Sequence, residues 1–175
     1  TMFTGQGVIV YEAIRLLKSN KLNVSQVIEK LTPLRDKVHA FLLPKDLYHL
    51  KNRASKKGDN SVGWLSYKMG SMLNVKPIIQ CYKGETGPVD KAMGFDSGLV
   101  KLFEKAKQAI ENKLSVNVIV MSYAGDLNDI YNNTDYKKFI AYVKAKKINT
   151  LMSVMSTTAT VNVGPGSFSL AYAEA

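Results

Sequence analysis

Few side chains in this sequence are spaced to do covalent chemistry. It has two histidines, His39 and His49. His39 lies inside the apolar run Val38–Leu43 and reads as a packed core residue. His49 follows Tyr48 on a short predicted helix and reads as a surface group. Neither has a nucleophile and a carboxylate at the spacing of a catalytic triad. Asp126 and Asp129 lie one helical turn apart and read as charges at a helix N-terminus rather than an acid–base pair. Cys81 is the only cysteine, and no Cys/His set has zinc-ligand spacing. The expectation is therefore a protein with no catalytic residues, no metal and no cofactor.

The residue types point instead to binding. Asn162-Val163-Gly164-Pro165-Gly166-Ser167-Phe168 places two glycines around a proline. Glycine permits positive φ and a close approach to the backbone, and proline rigidifies the turn. A ligand head group or a neighbouring backbone could sit against it; a plain surface turn is the simpler reading. Arg53, Lys56 and Lys57 form a basic loop able to meet a phosphate or an acidic surface, or simply to be solvated. Met69, Met72 and Met93 could line an apolar tunnel, because thioethers adapt to flexible ligands; filling a core would use them equally well.

These groups must be carried by a folded domain. The chain has 175 residues, 46% hydrophobic and 22% charged, which describes one compact domain. A single cysteine excludes an internal disulfide framework and suits a reducing compartment. The N-terminus lacks the basic-then-apolar pattern of a signal peptide, so the expected location is the cytoplasm. Apolar runs such as Val118–Met121 are far too short to span a bilayer, so no stable membrane insertion is expected. The formal net charge is +10, which favours an anionic partner or surface. The lysines are spread over the chain and no nucleic-acid-reading motif is present, so nucleic acid is not an expected partner.

The elements follow from periodicity and punctuation. Thr4–Leu17 is helix-like and apolar on most of its circumference, which calls for burial on several sides. That points to a missing domain in front of it, or to self-association. Asn23 with Gln26 reads as a capping box opening a second helix to about Arg35. Val38–Leu43 is a strand, Asp46–Lys51 a short helix, and Trp64–Leu73 a further helix. Val75–Tyr82 and Pro88–Met93 pair as a hairpin through Lys83–Gly87, with Pro77 and Pro88 at strand ends or an edge. Asp96 or Ser97 caps a helix carrying Leu99, Leu102, Phe103, Ala106, Ala109 and Ile110 at core spacing. Val116–Tyr123 is a strand, and Asp126–Tyr131 and Asp135–Lys146 are helical. Thr150–Thr157 and Phe168–Ala173 are two last strands, joined through the glycine-proline turn. The sum is an α/β fold, with a mixed sheet of about six strands covered by helices.

Four stretches in this order resemble one family. They are the Gly5-Gln6-Gly7 helix opening, Asp46-Leu47-Tyr48-His49-Leu50 leading to Arg53, Gly70-Ser71-Met72-Leu73-Asn74-Val75-Lys76-Pro77-Ile78-Ile79, and the closing Gly164-Pro165-Gly166 with Leu170-Ala171-Tyr172. Together they are similar to the second part of the DegV family of bacterial fatty-acid-binding proteins, over essentially the whole chain 1–175. The resemblance implies a single DegV-like C-terminal domain whose first helix, within 1–20, packs on an N-terminal domain. It implies a non-enzymatic carrier that holds a long-chain fatty acid and presents it to a fatty acid kinase for phospholipid synthesis. The head group would sit beside Asn162, Gly164, Pro165, Gly166 and Ser167, with Arg53 as a further ligand-binding residue. The family pattern has histidine where this chain has Asn162 and often arginine where it has Met93. It commonly has a glycine pair before the arginine, where this chain has Lys51-Asn52. The rival reading is a partner-binding or structural module that has lost lipid binding.

Overall fold

The structure is a computed structural model, describing residues 3–19, 22–50 and 74–175. In chain order the described elements are α1 Thr4–Ser19, α2 Val24–Arg35, β1 Val38–Leu43, β2 Val75–Tyr82, β3 Glu85–Met93, α3 Phe95–Asn112, β4 Val118–Tyr123, α4 Leu127–Tyr131, α5 Thr134–Ala145, β5 Asn149–Val154, α6 Thr157–Val163 and β6 Phe168–Ala173. The six strands form one sheet in the order β3-β2-β1-β6-β4-β5. Only β4 and β5 are parallel neighbours; the other pairings are antiparallel. Consequently β1, β4 and β5 all run the same way, and their carboxyl ends open onto one edge.

Alternation along β6 builds the layers. Phe168, Leu170 and Tyr172 face one side, where they meet α3 and α5 in a core that includes Phe103 and Phe139. Those two rings stack with centroids 4.6 Å apart. Ala171 and Ala173 face the other side, with Val38, Ala40, Val118 and Val120, beneath Val8 of α1 and Leu34 of α2. Small residues on that face let α1 lie close to the sheet. The result is a three-layer α/β sandwich whose mixed sheet is covered by helices, as the periodicity predicts.

Local sequence explains most boundaries. Asn23 and Gln26 form the expected capping box at 3.0 and 2.9 Å. In α3 the apolar positions 99, 102, 103, 106 and 109 are all buried. Its N-cap is Gly94, not Asp96 or Ser97, because Gly94 at φ 87 turns the chain directly out of β3. The hairpin forms, and β3 begins earlier than expected, at Glu85. Pro88 is tolerated inside it because β3 is an edge strand and the register shifts at Ile78/Ile79.

The last third departs most from the expectation. Thr150–Thr157 is not one strand: β5 stops at Val154, and Ser156 caps a helix by accepting a hydrogen bond from the Ala159 N–H at 3.3 Å. The glycine-proline turn therefore joins a helix to a strand, and the strands on its two sides are not neighbours. The run Thr157-Thr158-Ala159-Thr160-Val161 has β-branched residues that favour a strand, but the serine cap and the covering of Val163 decide for a helix.

Helix α1 buries Val8 and Leu16, while Val10, Ile14 and Leu17 are 47–55% exposed. On α2, Val24 and Ile28 are exposed as well. No helix among the described residues is long and apolar enough to cross a membrane.

Candidate functional site

The edge formed by the ends of β1, β4 and β5 is where an open α/β sheet places a ligand crevice. A groove of about 480 Å³ lies there, between the first turn of α1 and helix α6. Phe3, Thr4, Ser122, Met155, Ala159 and Asn162 are among its walls. Met155 belongs as well to an apolar cluster with Leu42, Ile79, Ala124 and Val163, against which Phe3, Leu50 and Ala159 pack. A lining that mixes apolar side chains with hydroxyls suits an amphiphile.

Thr4 fixes the start of α1 on the sheet. The Ser169 hydroxyl donates to the Phe41 carbonyl at 2.9 Å, so its oxygen is left to accept from Thr4 Oγ1 at 2.8 Å. Both side chains are buried. This buried chain of hydrogen bonds ties α1, β6 and β1 at the groove end.

The glycine-proline turn is braced from within. Gly164 ends α6 at φ 90 and ψ 153, and Gly166 has φ 74. The Gly164 N–H donates to the Thr160 carbonyl at 2.8 Å, and the Gly166 N–H to the Ala124 carbonyl at 2.7 Å. The Ala124 N–H donates in turn to the Ser167 carbonyl at 2.9 Å. The Ser167 hydroxyl is fully buried and donates to the Val163 carbonyl at 2.9 Å. Pro165 is exposed and carries no N–H. Asn162 is half-buried; its Nδ2 donates to the Thr158 carbonyl at 2.8 Å, and its buried Oδ1 has no hydrogen-bond partner among the described residues. Thus Asn162 reaches the groove, whereas Gly164, Gly166 and Ser167 shape the turn with the groups that sequence alone assigns to a ligand.

Two basic residues pack onto this turn from the segment after β1. A Cβ on Gly164 would stand 2.7 Å from Cδ2 of His49, and one on Gly166 would stand 3.0 Å from Cγ of Lys45. The ammonium of Lys45 lies 4.7 Å from the centroid of the Phe95 ring. The sequence reading treats His49 as a surface group and does not single out Lys45. Nothing local marks either residue, because the glycines they pack on lie more than a hundred positions away. Asp46 alone leaves a local trace, its carboxylate accepting from the Tyr48 N–H at 2.8 Å to start the helical turn at 48–50.

The other singled-out residues fall elsewhere. Arg53, Lys56, Lys57, Met69 and Met72 lie outside the described residues. Met93 is exposed at the end of β3. His39 is stacked on Tyr82 with ring centroids 4.2 Å apart and lies near Gln80 and Glu174. Burial lowers its pKa, partly offset by the Glu174 charge. Asp126 caps α4 by accepting from the Asn128 N–H at 2.9 Å. Burial raises the Tyr123 pKa, and Asp129 adds to the rise through its charge and a hydrogen bond. Among the described residues no group of three or more His, Cys, Asp or Glu could hold a metal ion.

The fold defines an α/β domain with a groove at its strand ends, and comparison with known proteins gives the family. The model for the uncharacterised DegV family matches residues 1–175, and the chain belongs to that family. A DegV domain-containing protein of Xanthomonas campestris is 34% identical over 172 residues, and one of Xanthomonas axonopodis is 34% identical over the same length. Each match covers 98% of this chain and 54% of the relative, so the chain spans about half the length of the curated relatives it matches. Among solved structures, a fatty-acid-binding DegV family protein from Thermus thermophilus superposes with a TM-score of 0.70 at 20% identity, over 98% of this chain and 57% of that one. DegV from Bacillus subtilis, described as a fatty acid binding protein, gives 0.70 at 18% identity, covering 98% and 57%. A stearic-acid-binding protein from Eubacterium ventriosum gives 0.69 at 16% identity, covering 98% and 56%.

Proposed function

We propose that this chain binds the acyl chain of a long-chain fatty acid, as one part of a cytoplasmic, non-enzymatic carrier. The observation that carries this reading is the groove at the strand ends, whose walls mix hydroxyls with apolar residues such as Phe3, Met155 and Ala159, in a chain of the DegV family. Relatives of the same fold bind fatty acids, which supports the reading. Burying an acyl chain contributes about 0.8 kcal/mol per methylene, so a palmitoyl chain reaches useful affinity with few polar contacts even after ordering costs. The carrier needs no cofactor. It hands the carboxylate, held at the rim near Asn162, to a fatty acid kinase for phospholipid synthesis. The exposed apolar residues of α1 and α2 pack in this reading on the remainder of a longer protein.

The test is organic extraction of protein purified from cells, followed by mass spectrometry. Near-stoichiometric fatty acid is the expected result. Clean extracts from folded protein, with no binding of added palmitate, would leave a partner-binding module instead. Stimulation of a fatty acid kinase by the palmitate-loaded protein tests the carrier step separately.

A further inference from the structure

We infer that the open edge of β5 pairs with the same edge of a second copy of this chain, joining the two sheets antiparallel about a two-fold axis. This pairing is independent of what the groove binds. The two ends of the sheet are finished differently. At one end, β3 carries devices that stop strands from associating: Pro88, a shift of register opposite Ile78/Ile79, and the charges of Glu85, Asp90 and Lys91. Asp90 is held there by the Lys101 ammonium at 2.9 Å. At the other end, β5 has no proline and no charge, and its register on β4 runs unbroken from Asn149 to Val154.

The main-chain groups on the β5 edge follow from the ladder. The Asn149 N–H donates to the Asn117 carbonyl at 3.2 Å, and the Met155 N–H to the Tyr123 carbonyl at 2.7 Å. Main-chain direction alternates along a strand, so Asn149, Leu151, Ser153 and Met155 turn their groups to β4. Thr150, Met152 and Val154 turn theirs outward, where no described strand lies beyond them. Leu151 and Val154 are 44% and 61% exposed, so the edge is apolar as well as unpaired among the described strands.

Charge selects the occupant. The chain carries a net +10, yet no Asp, Glu, Lys, Arg or His lies between Lys147 and Glu174. In β6, buried at the centre of the sheet, that is ordinary; along an exposed edge it is not. A partner of different sequence would be drawn to so basic a chain by acidic groups set against its lysines. In a two-fold contact each charge near the axis meets its own copy, so an edge that pairs with itself is best left uncharged. A lipid surface suits the edge poorly, because it offers nothing to the outward N–H and C=O groups. With the axis at Met152, Thr150 comes opposite Val154 of the second copy and Met152 opposite its own counterpart. All the outward residues then find partners, and β-branched side chains meet across the seam.

The experiment is sedimentation equilibrium of the full chain over a concentration series, with circular dichroism to confirm the fold of each variant. The wild type is expected to show a concentration-dependent dimer. Leu151→Lys sets two like charges diagonally across the axis and removes an apolar contact from each copy; it should raise the dimer dissociation constant by about 10-fold or more. Val154→Lys, at a more exposed position, repeats this test should the first variant fail to fold. Thr150→Pro deletes an outward N–H without adding charge and should weaken the dimer similarly. Val89→Lys adds the same charge on β3 and should stay within about 2-fold, because distant surface charges are screened. A wild type that stays monomeric throughout overturns the inference. So does a dimer that survives both lysine variants, or one weakened equally by Val89→Lys. A dimer lost in Leu151→Lys but intact in Thr150→Pro overturns strand pairing, because it marks a contact between side chains alone.

Discussion

Replacing Gly164 with alanine should destabilise the fold through two separable effects. At φ 90 and ψ 153 the residue occupies backbone space open essentially to glycine alone, and a side chain there costs roughly 1–3 kcal/mol. The new Cβ would also stand 2.7 Å from Cδ2 of His49; moving that ring costs roughly another 1–3 kcal/mol, as overpacking does. Gly84 separates the two effects, having a similar φ of 87 but nothing within 4 Å of its Cβ position. Gly84→Ala should therefore show the backbone cost alone. The measurement is urea denaturation followed by circular dichroism, with thermal melts as a check. For a domain of this length each kcal/mol moves Tm by about 2–4 °C, so the Tm of Gly164→Ala should fall by roughly 4–24 °C. Adding His49→Ala should return only the steric part, giving a coupling of about 1–3 kcal/mol in the double-mutant cycle. A Gly164→Ala loss no larger than that of Gly84→Ala, or strictly additive losses in the cycle, would refute the packing of His49 on this turn.

Two further outcomes test the core and the strands. Phe139→Ala removes a ring that is 1% exposed and stacked on Phe103, and should cost about 3–5 kcal/mol in the same urea assay. His39 has its pKa lowered, chiefly by burial, so the unfolded chain takes up its proton at a higher pH than the folded one. The contribution of His39 is complete above its ordinary value of 6.5 and is lost as pH falls through that value towards the lower folded one. Urea midpoints should therefore drop between pH 8 and pH 5, and His39→Phe should flatten that drop; an equal drop in the variant would show that other groups cause it.

What the sequence reveals depends on how local the cause is. The capping box of Asn23 and Gln26 and the spacing of Leu99, Leu102 and Phe103 act within a few residues, and both are readable in one dimension. So is the buried run Phe168–Ala173, although its place in the middle of the sheet is not. Helix α6 is missed because the propensity of its threonines and valines opposes what Ser156 and the burial of Val163 bring about. At the candidate site, Asn162 and the two glycines announce themselves through composition. His49 does not, since only the folded chain brings it to Gly164. The outward-facing Val10, Ile14 and Leu17 are legible as an apolar excess, but which of them stay exposed follows from the register of α1 on β4 and β6.

The central position of β6 shapes how the chain can fold. Residues 168–173 are the seam between β3-β2-β1 on one side and β4-β5 on the other. Val38, near the start of the sheet, finds its neighbour only when Ala173 arrives. During synthesis the two halves can each pair internally, yet they have no shared strand until that segment has emerged. Both half-sheets then display open edges, the β1 edge and the β4 edge, of the kind that recruits other strands. Slow, non-local closure of this sort makes the late arrival of six residues the step at which folding and aggregation compete.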